Sequence, residues 1–361
     1  MGFRNHRGGL APPRAPGLKV PTSEGSRALS EGCGARDDPS VPPPSNRIIV
    51  NFPEHGNSVD ATPLRRRWIT ALSALAGSLA LIATLAGTLT GFGAQHRTFM
   101  SLRGEMVTLQ GGGLYANDSL STASQAIGQD FVTLVVAIPL LALATWLALR
   151  GSVRGAVLQA GALWYFAYTY LLMSFGSAYN PLFLAYVAIF STSLFGFVLA
   201  LMSIDARRLQ SSISPRLRRR TISWVLVGFA SMLAIMWVGR IAPGLIEGKP
   251  PVGLESSSTL FVQAGDLGLV VPLTVLAGVL LLRRLSIGYV LAGVMLVKSA
   301  TFGLALIGMI VAMLALGTTV ALPEVVFFTA LALAMTAGAV HYISCLPPKS
   351  RPIRDQERLA S

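Results

Sequence analysis

Charge is scarce in this chain, and most residue patterns that announce a chemistry are missing from it. Asp, Glu, Lys and Arg together make up 12% of 361 residues, with four histidines and two cysteines. Cys33 and Cys345 cannot build a disulfide framework or a cysteine-ligated metal cluster. No Walker A, HExxH, CxxC or GxSxG motif occurs. His6 and His55 lie in the polar N-terminal stretch and His96 in a polar segment. His341 stands alone on an apolar run, where a packing residue is a simpler account than a ligand. A membrane enzyme needs His, Asp or Glu gathered at one interface, and none gather here. No catalytic residue, metal ligand or cofactor is therefore expected.

What the chain has is apolar length. Hydrophobic residues make up 52% of it, and mean hydropathy is +0.60, outside the range of a soluble domain. A hydrocarbon core of roughly 30 Å needs about 20 apolar residues in a helix. Such runs fall at about 68–91, 130–150, 155–176, 181–203, 221–242, 259–282, 286–313 and 323–345. They are continuous rather than alternating, so the fold class expected is all-α: a polytopic transmembrane bundle of eight spans.

A net charge of +13 would point to nucleic acid if it lay on one soluble face. It does not, and no nucleic-acid partner is expected. Residues 1–67, the 150–154 turn, the 205–220 loop, the 283–284 turn and the C-terminal tail hold 24 of the 29 lysines and arginines. The other side has Arg97, Arg103, Arg240 and Lys249, and Lys298 falls within a span. This positive-inside pattern predicts both termini in the cytoplasm, and it explains "RLRRR" at 216–220 as a topology signal before any lipid or nucleic-acid site.

Residues 1–64 are rich in Pro, Gly, Ser and charge and are expected to be a disordered tail; a start placed too far upstream is the alternative. The first apolar run is expected to act as an uncleaved anchor, with residues 65–346 forming the membrane domain and 347–361 a second tail. The long outer segment, 92–129, reads as a loop with one short interfacial helix near 119–129.

A weak internal repeat emerges when the first four spans are laid on the last four. "QDFVTLVVAIPLLALATWLALR" and "QAGDLGLVVPLTVLAGVLLLRR" both run from polar residues through a proline to arginine. Four spans per half would make the repeat parallel, a layout some transporters use; compositional likeness between hydrophobic hairpins is the plainer alternative. Pro139 and Pro272 predict kinks that could frame a cavity, or ordinary kinked spans. The Ala83, Gly87 and Gly91 stripe reads as helix packing.

Two charges are buried in this scheme. Asp266 lies roughly 10 Å below the outer boundary and Lys298 roughly 17 Å above the inner one, at nearly matching depth on consecutive antiparallel helices. An ion pair is feasible, either as a substrate or proton site or as a buried pair that fixes helix register. Gln263 is one turn outward of Asp266. Tyr165 and Tyr168 are deep and need hydroxyl partners, and Tyr165 falls opposite Lys298 in the repeat. Asp130, Arg240 and Glu324 read first as span-boundary markers.

"GQDFVTLVVAIPLL", "SFGSAYNPLFLAYVAIFSTSLFGF" and "DLGLVVPLTVLAGVLLLRRLSIGYVLAGVMLVK" resemble a set of bacterial, often actinobacterial, integral membrane proteins. The resemblance covers most of 105–315 and implies a bacterial plasma membrane. It carries no assigned activity, so no residue role is transferred. Two function classes fit the sequence. One is a transporter or permease-like binder of a small molecule at an outward-facing polar site drawn from Asp266, Lys298, Gln263, Tyr165, Tyr168 and Asp130. The other is a structural or regulatory membrane subunit that contacts a membrane-protein partner through its outer loop and basic tail.

Overall fold

The structure, a computed structural model, describes residues 63–91, 95–101, 103–251, 253–255 and 257–347. The expected tails, with Cys33, lie outside the described residues, except that helix begins at Pro63 rather than near 68. The elements are α1 (Pro63–Thr90), β1 (Arg97–Met100), β2 (Met106–Leu109), α2 (Leu120–Val132), α3 (Ile138–Leu149), α4 (Val153–Gly176), α5 (Phe183–Met202) and α6 (Ala206–Ser212). They continue with α7 (Arg219–Glu247), α8 (Phe261–Gly265), α9 (Val271–Leu282), α10 (Ser286–Ala315) and α11 (Leu322–Ser344). Eight of the helical segments are long and apolar enough to cross a membrane, with α2–α3 and α8–α9 each acting as one span. The architecture is that of an all-α integral membrane protein whose outer faces meet lipid.

Helix ends are set by local chemistry. Ser119 and Ser152 accept the backbone N–H groups of Thr122 and Gly155 at the starts of α2 and α4. Arg219 donates to the carbonyls of Leu281 and Leu282 at 3.0 and 2.6 Å, and Arg154 to the carbonyl of Leu346 at 2.7 Å. Arginines of the positively charged side thus close the open carbonyl ends of α9 and α11.

Two expectations for the outer segment are corrected. The helix near 119–129 is no separate interfacial piece. It is the first part of the second span, which runs Leu120–Leu149 rather than 130–150. Its residues are too polar for an apolar-run search, yet Ala123, Ser124, Ile127 and Gly128 are buried against neighbouring helices. The preceding loop holds an antiparallel hairpin, Arg97 opposite Leu109 and Met100 opposite Met106.

The repeat has a sharp structural form. Helices α3 and α9 begin at 138 and 271, and α4 and α10 at 153 and 286, a constant separation of 133 residues. Before each of the first pair lies one π-helical turn, Thr133–Ala137 and Asp266–Val270, at that same separation. Pro139 and Pro272 each follow two residues later. A proline has no N–H for the helical ladder and crowds the turn before it, and a widened turn relieves both defects. The reversals between helices match as well, with Gly151 at φ 75° and Arg284 at φ 60°.

Helices α4 and α10 form the centre: 78% and 67% of their most apolar windows are buried, against 22–39% for the other six spans. They touch where a side chain is absent. A Cβ on Gly161 would stand 2.5 Å from Val297 Cβ and 3.1 Å from the carbonyl of Val294, the repeat equivalent of Gly161 itself. Farther out the contacts are reciprocal: Gly128 on α2 abuts Gly308 and Met309 on α10, while Gly176 on α4 abuts Phe261, and each pair maps onto the other at 133 residues. Reciprocity of this kind marks a pseudo-two-fold axis between α4 and α10. Helix α5 flanks α4 as α11 flanks α10, and α3 and α9 line the opposite sides.

Close backbone approach makes this interface intolerant of volume. A Cβ at Gly128 would lie 2.3 Å from the Gly308 carbonyl oxygen, whereas one at Gly239 on α7 would meet nothing within 4 Å. Gly128→Ala should destabilise the protein by about 1–3 kcal/mol, while Gly239→Ala should leave it unchanged or slightly more stable. Unfolding midpoints of both variants in detergent micelles check this; equal midpoints would show that α2 and α10 can part without cost.

Candidate functional site

Asp266 opens the second π turn and is 4% exposed. Both carboxylate oxygens are held by neighbours. The Tyr168 hydroxyl donates to Oδ1 from α4, and the Trp237 indole N–H donates to Oδ2 at 2.8 Å from α7. Gly265, just before it, lets the tyrosine in: a Cβ there would already stand 3.3 Å from the Tyr168 hydroxyl. Charge-assisted donors of this kind stabilise a buried carboxylate far better than packing can.

Lys298 is 1% exposed, and the direct ion pair with Asp266 does not form. No carboxylate oxygen lies within 4.0 Å of its ammonium among the described residues. Tyr168 has come between the two. Lys298 Nζ is 4.1 Å from the centroid of the Tyr168 ring and 4.5 Å from that of Phe302, and the two rings meet edge to face at 5.5 Å. One tyrosine thus bonds the anion through its hydroxyl and covers the cation with its face, making the charges neighbours through a π system.

Of the other expected residues, Gln263 lies a turn outward, partly exposed, and joins no hydrogen bond with this group. Tyr165 belongs elsewhere: its hydroxyl meets Thr133 Oγ1 at 2.7 Å. Thr133 and Tyr165 are the repeat equivalents of Asp266 and Lys298. Asp130 is no boundary marker; it is 3% exposed and accepts the Tyr115 hydroxyl at 2.5 Å. Five of the expected six residues therefore divide between two clusters, Asp266–Tyr168–Lys298 and Asp130–Tyr165, and Gln263 joins neither. Gly87 proves to be a space-maker for the second, since a Cβ there would overlap the Asp130 carboxylate.

Glu324 marks the start of its span, but Arg240 lies about two turns inside α7, which runs on to Glu247. The two form a half-exposed ion pair at 3.8 Å, and His341 accepts the Arg218 N–H at 3.5 Å. No group of three His, Cys, Asp or Glu that could hold a metal occurs among the described residues. Trp237, Phe302, Thr133 and Tyr115 were not foreseen. Trp237 and Phe302 read as ordinary apolar-span residues, and Tyr115 sits in a glycine-rich loop with no periodicity to place it.

The outer loop is pinned over this end of the bundle. Arg103 donates to the carbonyls of Glu255 and Ser257, and the Ser119 hydroxyl to the Glu255 carboxylate. Asp118 Oδ1 accepts the Ala178 N–H at 2.7 Å, while its Oδ2 is buried without a partner.

No protein-family model, curated protein or solved structure matches the chain.

Burial pushes the Asp118 carboxyl up to about 6, against the pull of the Ala178 N–H. A carboxyl whose value rises on folding favours the docked loop most at low pH. That contribution is complete below the ordinary carboxylate value near 3.8 and is lost as pH rises through about 6. Hydrogen-exchange protection factors for residues 110–119, which divide out the intrinsic pH dependence of exchange, should be larger at pH 4 than at pH 7.5. In Asp118→Asn the difference should vanish; a difference that persists would assign the effect to another group.

Proposed function

We propose that the protein is a transporter or permease-like membrane protein that binds a small polar molecule bearing a hydrogen-bond acceptor, a carboxylate or carbonyl, at Lys298. The observation that carries the reading is the state of that ammonium. It has three N–H donors, it is buried, and aromatic faces are its neighbours rather than acceptors. An ammonium so placed is costly to hold inside a bilayer, and a ligand acceptor would offset that cost. The Asp266 oxygens already have donors, so a ligand would meet the lysine rather than displace the carboxylate's partners. The neighbouring π turn supports the same reading, because such turns concentrate at functional sites. So does the parallel repeat, an arrangement that secondary transporters use around a central site. The distribution of basic residues favours a topology with both termini in the cytoplasm, and the resemblance to bacterial proteins favours a bacterial plasma membrane.

Thermal unfolding of the detergent-purified protein against acetate, lactate, succinate and neutral amino acids tests this. At least one class should raise the midpoint, and Lys298→Met should fold yet lose the rise, since Asp266 keeps both of its donors. A shift that survives Lys298→Met, or no shift from any class, would sink the proposal.

The reading as a structural or regulatory subunit has one observation in its favour. The β1–β2 hairpin exposes Phe99, Met100 and Met106, apolar groups on a short sheet with open edges. Replacing these three by serine should remove a co-purifying membrane protein while leaving the response to ligand intact. If no partner is lost, the hairpin is a cover and nothing more.

A further inference from the structure

The first half of the bundle holds a buried carboxylate with no cation to match it. Asp130 is 3% exposed, and among the described residues no lysine, arginine or histidine lies within 4.0 Å of it. One oxygen accepts the Tyr115 hydroxyl. Beside it in the fold are oxygen-bearing side chains at helical spacing: Gln129 on α2 and Thr133 at the start of the π turn, four residues apart, and Tyr165 and Thr169, four residues apart on α4, with Tyr165 in the electrostatic reach of Asp130. Thr133 and Tyr165 touch across the gap, and the Tyr165 hydroxyl also lies beside Thr169 and Gln129. All four are buried to at least nine-tenths.

Two of these groups are short of partners: Gln129 Nε2 and Thr169 Oγ1 are enclosed with only the Tyr165 hydroxyl beside them. A buried polar atom short of partners is costly to hold, so two of them in one enclosed space with a carboxylate nearby call for a guest. The amide of Gln129 can be turned to offer its oxygen instead, because the two assignments differ little in shape.

The repeat indicates what the guest is. At the position of Tyr165 the second half carries Lys298, whose ammonium lies one tyrosine ring away from Asp266. In that half the positive charge is covalently built in. In the first half the same place holds a neutral hydroxyl, and Asp130 supplies the negative charge. The donor set is hard oxygen throughout with one formal charge, which suits a small monovalent cation; calcium or magnesium recruits more carboxylates.

We propose that Asp130, Gln129, Thr133, Tyr165 and Thr169 form a binding site for a monovalent alkali cation, sodium in the first instance, between α2 and α4. This site does not rest on the reading of Lys298. A bound ion at free concentration c stabilises the folded state by RT ln(1 + c/Kd), so the midpoint climbs with the logarithm of concentration once the ion exceeds its Kd. The intact protein in detergent is therefore unfolded thermally in NaCl against choline chloride at constant ionic strength, with LiCl and KCl as further arms. The expected result is a rise in midpoint that becomes logarithmic in Na⁺ concentration, is absent in Asp130→Asn and is retained in Lys298→Met. Thr169→Val, a milder change that keeps the carboxylate, should raise the half-saturating Na⁺ concentration about ten-fold. Equal midpoints in NaCl and choline chloride would overturn the proposal and leave a chamber filled by water or closed by a proton. A sodium response that persists in both Asp130→Asn and Thr169→Val would overturn it too.

Discussion

A polar group inside a bilayer must find its partner within the protein, because neither lipid nor water will supply one. Most of this architecture follows from that constraint. The charged and hydroxyl-bearing residues are concentrated where α2, α4, α8 and α10 converge, and α4 and α10 are the most deeply enclosed spans. Bringing them together requires backbones to approach closely, and glycine at 128, 161, 176 and 308 permits it. Between helices in lipid, van der Waals contact of this kind replaces the hydrophobic drive that holds soluble bundles.

The sequence made the spans legible because span length is a property of composition alone. It placed the third, fourth, sixth, seventh and eighth to within a few residues. It failed at the start of the second, where "LSTASQAIGQD" is polar in composition and buried by protein rather than by lipid. A hydropathy search assumes that lipid is the neighbour. The β-hairpin was missed for the opposite reason: β1 is exposed along its length, so it has no apolar side to announce it.

The candidate site was half legible. Counting along the helices put Asp266 and Lys298 at one depth, and the structure keeps both buried there. Depth is one coordinate, however, and says nothing of rotation about each helix axis. Tyr168 stands between the two charges because α4 is wedged between α8 and α10, and no linear spacing encodes that wedge. Asp130 was read as a boundary for the same reason that its span was cut short. The repeat separation, by contrast, was written in two prolines, and it correctly matched Tyr165 with Lys298.

The matching of those two residues has a consequence for the interior. Two halves related by a pseudo-two-fold axis form a frame with no preferred side, yet its lining is hydroxyl and anion on one flank and ammonium, ring and anion on the other. The frame is even-handed and its wall chemistry is not: the halves share a backbone without being interchangeable, so the bundle carries a polarity across its own axis, with a buried ammonium on one flank and a neutral hydroxyl at the matching place on the other.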